Sequence, residues 1–307
     1  MNRDLIFLYG REWVKNLLSV KAFSSILGSF GALWLAVEIT VFFFSQTKAP
    51  EILRSLWYIF AILGIIIAFY LCKPQLCVSH RLNGRDTAIQ IAIGDIFSFP
   101  GAIVVGTNTT FDTHISRDLI SEHSIQGVFT RKYYGDETQL DSELASALAD
   151  EQKTTVSGRR IGKSFMYPMG TVARLTPRER TAYFLAIADI NTHGVSSGTF
   201  DGLKDSLAKL WLFIGSRGLK EDVVMPVLGT GFCRLPQTRE EVIRETVRSF
   251  VAACAEKTFC SRLTIVLFPR DVVEHGISLY DLDMFLRYVC TYTEFAKNTG
   301  MPVGKAA

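Results

Sequence analysis

The chain has 307 residues, enough for one large domain or two smaller ones. Hydrophobic residues make up 48% and charged residues 21%, with a mean hydropathy of +0.21, so there is too much apolar surface for intrinsic disorder. The net charge of +3 divides into +2 over residues 1–72, with six Lys/Arg against four Asp/Glu, and +1 over the remainder, with 27 against 26. No basic run stands in that remainder, which disfavours nucleic-acid binding by phosphate neutralisation.

Residues 1–21 mix charges with Leu5, Ile6, Leu8, Trp13, Val14, Leu17 and Leu18, a pattern that predicts a short amphipathic helix lying on a membrane. From Ala22 to Ser45 the only charge is Glu38, and from Ser55 to Cys72 there is none. A helix needs about 20 apolar residues to cross a bilayer, so residues 22–72 read as a two-helix transmembrane hairpin turning through Gln46–Leu53. Trp34, Trp57 and Tyr58 suit the interfaces. Arg3, Arg11, Lys15 and Lys21 precede the first span and Lys73, Arg81 and Arg85 follow the second. The positive-inside bias then places both termini, and the large C-terminal part, in the cytoplasm. Ser24, Gly28, Ala32 and Ala36 form a small-residue stripe in the first span, as do Gly64 and Ala68 in the second. Such stripes let helices approach closely, within one hairpin or between chains of a homo-oligomer. Glu38 either snorkels to the interface or faces a partner or a water path.

The six cysteines, at 72, 77, 233, 254, 260 and 290, make no C-x-x-C pair and no zinc spacing with His. They read as free thiols in a reducing compartment, with Cys254 and Cys260 as packing residues and no metal site.

After Arg85 the pattern alternates. Strands are expected at Thr87–Ile93, Ala102–Val105, Phe165–Leu175, Thr181–Ile190, Val223–Leu228 and Leu263–Phe268. Helices are expected at His114–His123, Asp141–Asp150, Thr199–Gly215, Thr238–Glu256 and Leu279–Val289, with a loop over Glu151–Lys163 and a tail over 293–307. The runs IVV, VVMPVL and LTIVLF lack alternation and fit central strands buried on both faces. The fold class is therefore α/β, with a sheet covered on both sides and ligands expected at the carboxyl ends of its strands.

Three segments carry candidate chemistry. Met225–Phe232 runs from a buried strand into Gly229-Thr230-Gly231-Phe232, which serves either as a tight connection or as a backbone cradle for a diphosphate. Gly94-Asp95-Ile96 and Gly106-Thr107-Asn108 both follow β-type runs; Asp95 offers an acceptor for an exocyclic amine and Asn108 a partner for ribose hydroxyls, though each also suits a turn or cap. Ser124 and Gly127 supply a further polar backbone turn. A Rossmann fingerprint fails because Arg234 stands where the third glycine belongs, and a Walker A motif fails because Ser157 stands where its first glycine belongs.

Taken together, Gly94-Asp95-Ile96, Ala102–Asn108, Pro226 and Gly229–Phe232 resemble the macro domain, a three-layer α/β/α module with a mixed sheet that binds ADP-ribose. The resemblance covers roughly residues 85–292. It implies that Asp95 and Ile96 meet the adenine, Asn108 the distal ribose, Gly229–Phe232 the diphosphate, and that Phe268 borders the adenosine end, with Thr107, Ser124 and Gly127 also lining the ligand. Catalytic macro domains carry a Gly-Gly-Gly stretch soon after the Asn; here Thr109–Ser116 replaces it, which favours binding over hydrolysis and leaves no catalytic residue assigned. A macro-like domain behind a membrane hairpin resembles the membrane effectors of bacterial Thoeris-type antiphage systems. That resemblance implies an ADP-ribose-derived signal, such as an amino-acid conjugate like histidine-ADP-ribose, made by a companion TIR-domain enzyme that consumes NAD. It further implies a multi-pass protein of the bacterial inner membrane that self-assembles and disrupts the lipid, with no cofactor and no nucleic-acid partner. The alternatives are a membrane-anchored ADP-ribosyl hydrolase, with Asn108 and Asp112 around a water, and a non-catalytic recruitment protein.

Overall fold

The computed structural model describes residues 3–43, 55–115, 119–156, 159, 161–191, 196–229 and 235–295. The chain divides into two compact units, one up to Leu76 and one from Cys77 onward.

The first unit is helical. Helix α1 spans Arg3–Leu17, α2 Val20–Phe43 and α3 Trp57–Leu71. The Ser19 hydroxyl oxygen accepts the Ala22 N–H at 3.1 Å and so caps the start of α2. At 24 residues, α2 is about 36 Å long, enough to cross a hydrocarbon core of about 30 Å. Its large side chains, among them Phe23, Leu27, Trp34 and Phe42, point outward rather than into the unit. Among the described helices it is the one long and apolar enough to span a membrane. Helix α3 is apolar all round but has 15 residues, about 22 Å, so it falls short of the expected second span. Its end follows from Pro74, which disfavours helical geometry at Lys73. The connecting residues 44–54 lie outside the described ones. Trp13 of α1 packs on Phe69 of α3 with ring centroids 4.3 Å apart. Gly64 faces the Phe30 ring, 2.9 Å from where a Cβ would sit, so its lack of a side chain sets how closely α2 and α3 approach. Gly28, Ala32 and Glu38 are exposed on α2.

The second unit is a sheet between helices. Its strands are β1 Cys77–Arg81, β2 Ala88–Ile93, β3 Ala102–Asn108, β6 Val172–Leu175, β7 Ala182–Ile190, β8 Ser196–Ser197, β9 Val223–Pro226 and β10 Arg262–Leu267. The order is β1-β2-β10-β9-β3-β7-β6, with β8 added to β7. β2, β10, β9, β3 and β7 run parallel, and the edges β1, β6 and β8 run antiparallel. The expected mixed sheet is present, and the unalternating apolar runs do fill its middle. A two-residue pair, β4 Thr154–Thr155 and β5 Phe165–Met166, forms a separate ribbon.

The helices are α4 Ile125–Tyr133, α5 Glu137–Ala147, α6 Phe200–Arg217, α7 Arg239–Glu256, α8 Pro269–Glu274 and α9 Leu279–Tyr292. Adjacent residues of β7 show both layers. Phe184 packs edge-on against Phe129 of α4, and Tyr183 meets Phe213 of α6 on the other face. On the first face Phe129, Leu140 and Leu144 close over Ile103, Val105 and Val224. On the second, fully buried Trp211 stacks on Phe259, meets Phe250 edge-on and donates its indole N–H to Ser249 at 2.9 Å. Thr238 starts α7 with a complete capping box to Glu241.

Two expectations are corrected. β1 extends the sheet eight residues ahead of Arg85; as an edge strand with one deeply buried residue, Val78, it carries no apolar run. The expected helix over His114–His123 is absent from the described residues of that stretch. Phe111 takes a left-handed φ of 50°, and the Ile115 N–H is drawn to the Glu137 carboxylate at 2.8 Å. The helix begins instead at Ile125, capped by Ser124.

Candidate functional site

The carboxyl ends of the five parallel strands converge on one edge of the sheet. Loops leave there after Ile93, Asn108, Pro226 and Leu267. The Gly94 N–H bonds the Leu267 carbonyl at 3.0 Å, tying the ends of β2 and β10 together. Asp95 then caps a short 3-10 turn over Ile96–Ser98, one carboxylate oxygen accepting the Phe97 N–H at 3.0 Å. Asp95 is exposed and reachable by a ligand, whereas the Ile96 side chain is buried in the core and has only its backbone to offer. Phe268, at the end of β10, is 43% exposed and precedes Pro269 at the start of α8. Gly229 has φ of 74°, and a Cβ there would lie 2.4 Å from the Leu235 side chain, so the turn after β9 requires glycine. Thr230, Gly231 and Phe232, the rest of the expected diphosphate loop, lie outside the described residues.

The end of β3 departs from expectation. The pairing of β3 with β7 shifts register between Thr107 and Asn108, a bulge that re-aims the side chain after it. Asn108 is buried, with its carboxamide engaged inside the protein. Its Nδ2 donates to Asp112 Oδ2 at 3.1 Å, and its Oδ1 accepts the Asp112 N–H at 3.1 Å, with the Thr110 hydroxyl oxygen 3.0 Å away.

Asp112 is the centre of this polar knot. It is 0% exposed and pairs with Arg159, whose side chain is 2% exposed. Besides Asn108 and Arg159 it accepts from the Thr110 hydroxyl at 2.6 Å and the Lys163 N–H at 2.9 Å. Burial raises its pKa, but the bonds from Thr110, Lys163 and Arg159, together with the Arg159 charge, outweigh burial and hold the carboxyl below its ordinary value. Arg159 also donates to Thr110 Oγ1 at 2.9 Å and to the Lys163 carbonyl at 3.0 Å. Gly162, at φ of 96°, leaves room for this: a Cβ would lie 2.6 Å from the guanidinium and 2.8 Å from Asp112. Lys163 adds an ion pair to Asp141 at 2.7 Å. Thr107 Oγ1, Thr109 Oγ1 and Arg159 Nε are buried beside the knot without a hydrogen-bond partner among the described residues.

Of the residues expected at the site, Asp95, Phe268 and Gly229 stand at the loop edge, while Ile96, Thr107 and Asn108 are buried behind it. Ser124 and Gly127 do local structural work. The Ser124 hydroxyl accepts the Gly127 N–H at 3.0 Å, and a Cβ on Gly127 would meet the Ser121 carbonyl oxygen at 2.4 Å. Arg159 falls in the expected polar loop, and Lys163 at its end is the lysine of the rejected Walker A pattern; the one local signal for their role is Gly162. Burial pushes the Cys254 thiol up to about 12 and the Cys260 thiol higher still, so neither is a reactive thiolate. Among the described residues one group has metal-ligand proximity, Asp271, Glu274 and His275; Asp271 already faces Arg239 at 3.2 Å and Glu274 faces Arg270 at 2.6 Å.

The sequence matches a family model described as "Thoeris protein ThsA, Macro domain" over residues 89–268. It is 22% identical over 233 residues to Thoeris protein ThsA of Bacillus amyloliquefaciens (strain Y2), covering 72% of this chain and 74% of that protein. Similar solved structures include an Oceanobacillus iheyensis macrodomain with ADP, at 16% identity and a TM-score of 0.47, covering 68% of this chain and 98% of that one. Another is a Trypanosoma brucei macrodomain in complex with ADP-ribose, at 14% identity and a TM-score of 0.41, covering 60% and 66%.

Proposed function

Since the chain belongs to the Thoeris ThsA macro-domain family, we propose that its α/β unit binds an ADP-ribose-derived signal in Thoeris defence and does not hydrolyse it. The observation that carries the choice of binding over hydrolysis is Asp112. A general base needs a free lone pair and access to water. This carboxylate is fully buried, paired with Arg159 and bonded by Asn108, Thr110 and the Lys163 backbone. The pair of side chains that a hydrolase reading would use is thus engaged with itself.

In this reading Asp95 accepts a hydrogen bond from the adenine amino group. The turn beginning at Gly229 wraps the diphosphate, and Phe268 borders the adenosine. The signal is an ADP-ribose conjugate, with histidine-ADP-ribose the leading candidate, supplied by a TIR-domain enzyme that consumes NAD. Helix α2 anchors the protein in the bacterial inner membrane. The α/β unit lies on the cytoplasmic side of that membrane. Signal binding favours an assembled state in which the N-terminal helices disrupt the lipid. A ligand drives that change only by binding the assembled state more tightly than the resting one.

Removing a hydrogen bond to a charged acceptor costs about 1.5–3 kcal/mol, so Asp95→Ala should weaken ADP-ribose binding by about 10- to 150-fold. In cells producing the signal, the same variant should restore growth. Unchanged affinity in Asp95→Ala would remove the adenine assignment, and unchanged growth arrest would separate ligand binding from the effector step.

A further inference from the structure

One side chain outside the strand-end loops organises the segment that presents Asp95. Arg180 follows the turn at Pro177–Glu179 and is half-buried. Its guanidinium reaches four acceptors at once. Nε donates to the Gly101 carbonyl at 3.2 Å. Nη1 donates to the Phe97 carbonyl at 3.2 Å and to the Tyr133 hydroxyl oxygen at 2.9 Å. Nη2 donates to the Phe99 carbonyl at 2.5 Å. Three of these acceptors are alternate carbonyls of the loop that joins β2 to β3, and the fourth belongs to α4.

Side-chain packing anchors the loop through Ile96 in the core and through Phe97 and Phe99 against it, but its backbone is sparsely bonded. Its internal backbone bonds are the 3-10 contacts from Ser98 N–H to the Asp95 carbonyl at 3.0 Å and from Phe99 N–H to the Ile96 carbonyl at 3.4 Å. Carbonyls left unpaired at half-buried positions carry a desolvation penalty; Arg180 removes it for three of them. Phe97 makes the link to the site. Its carbonyl accepts from Arg180 while its N–H donates to the Asp95 carboxylate at 3.0 Å. Phe97 therefore links the Arg180 fork to the Asp95 carboxylate. The far end of the loop is held as tightly: Gly101, at φ of 109°, would place a Cβ 2.4 Å from the Asp222 carbonyl oxygen.

We propose that Arg180 is a positioning residue for ligand recognition, clamping the Asp95–Gly101 loop so that the Asp95 carboxylate is presented in a fixed orientation. The inference rests on the reading of Asp95 as a ligand contact. It calls for arginine in particular, because only a planar fork with five donors serves four acceptors, and a lysine ammonium matches one or two of them.

The test is a double-mutant cycle on the full-length chain in detergent, titrated with ADP-ribose by calorimetry. Arg180→Gln should weaken binding about 5- to 30-fold, an effect of the size seen for coupled neighbours, and Arg180→Lys should recover part of it. Asp95→Ala should cost much less in the Arg180→Gln background than in the wild type. Amide hydrogen exchange of the ligand-free protein should speed at Phe97–Gly101 in both Arg180 variants and stay unchanged in α6 and α7. The inference is overturned if both variants bind as the wild type does, or if the two losses simply multiply. It is equally overturned if lysine restores binding in full, which would mark a charge effect. If the wild type itself does not bind ADP-ribose, the binding reading falls, while the exchange data still decide whether Arg180 holds the loop.

Discussion

Replacing Arg159 by methionine removes one partner of a buried ion pair and keeps similar volume. Both partners are almost fully enclosed, Asp112 at 0% and Arg159 at 2% exposure. Breaking a buried pair from one side costs about 3–5 kcal/mol, because the remaining charge is left uncompensated. Asn108, Thr110 and the Lys163 N–H still bond the carboxylate, which places the expected loss near 3 kcal/mol. For a domain of this size each kcal/mol lowers Tm by about 2–4 °C, so the variant should melt roughly 6–12 °C below the wild type at pH 7. The pH dependence carries a sign. In the wild type the folded carboxyl lies below its ordinary value, so its stabilising contribution is present above about pH 4 and is lost as pH falls through the lowered value. In Arg159→Met burial acts against fewer opposing bonds and Asp112 climbs. A raised carboxyl favours the protonated folded form, so the deficit should narrow as pH falls from 7 towards 4. Pairing Arg159→Met with Asp112→Asn removes both charges and should recover part of the loss. Thermal unfolding followed by circular dichroism between pH 4 and 8 measures all of this. A single-variant loss under about 1 kcal/mol, well below the buried-pair range, or a deficit independent of pH, would refute the assignment of this pair as the centre of the knot.

Two further predictions use the same melting measurement. Gly162→Ala forces a left-handed φ on alanine and places its Cβ against Arg159 and Asp112. It should cost about 1–3 kcal/mol and add little on top of Arg159→Met, because both disturb one contact. Thr238→Ala removes the cap of α7 and should cost about 1 kcal/mol without changing ligand affinity; a loss of affinity would connect α7 to the site by a route absent from this account.

The central strands were legible because burial on both faces leaves unbroken apolar runs, as in β3, β9 and β10. Helices α6 and α7 were legible from their periodicity and from Thr199 and Thr238 at their starts. The edge strand β1 was not, since a strand with one deeply buried side chain writes no hydrophobic pattern. The helix expected over His114–His123 was a local reading overridden by tertiary bonds from Glu137. In the strand-end loops, the turn geometry at Asp95 and Gly229 was legible because a turn acceptor and a positive-φ glycine are local needs. The diversion of Asn108 was not. It depends on a bulge and on Arg159, which comes from a distant polar segment, and nothing local distinguishes a buried arginine from a solvated one. Arg180 escaped for the same reason: its four acceptors are backbone carbonyls and a tyrosine brought together only by the fold.

The most direct test of the central claim is to titrate the full-length protein with ADP-ribose and then recover the ligand and identify it by chromatography. Binding without consumption is the claim. Saturable binding with the nucleotide returned intact, and affinity reduced in Asp95→Ala, is the expected result. Absence of binding at millimolar ligand, or release of a cleaved product from an ADP-ribose ester under the same conditions, would contradict it.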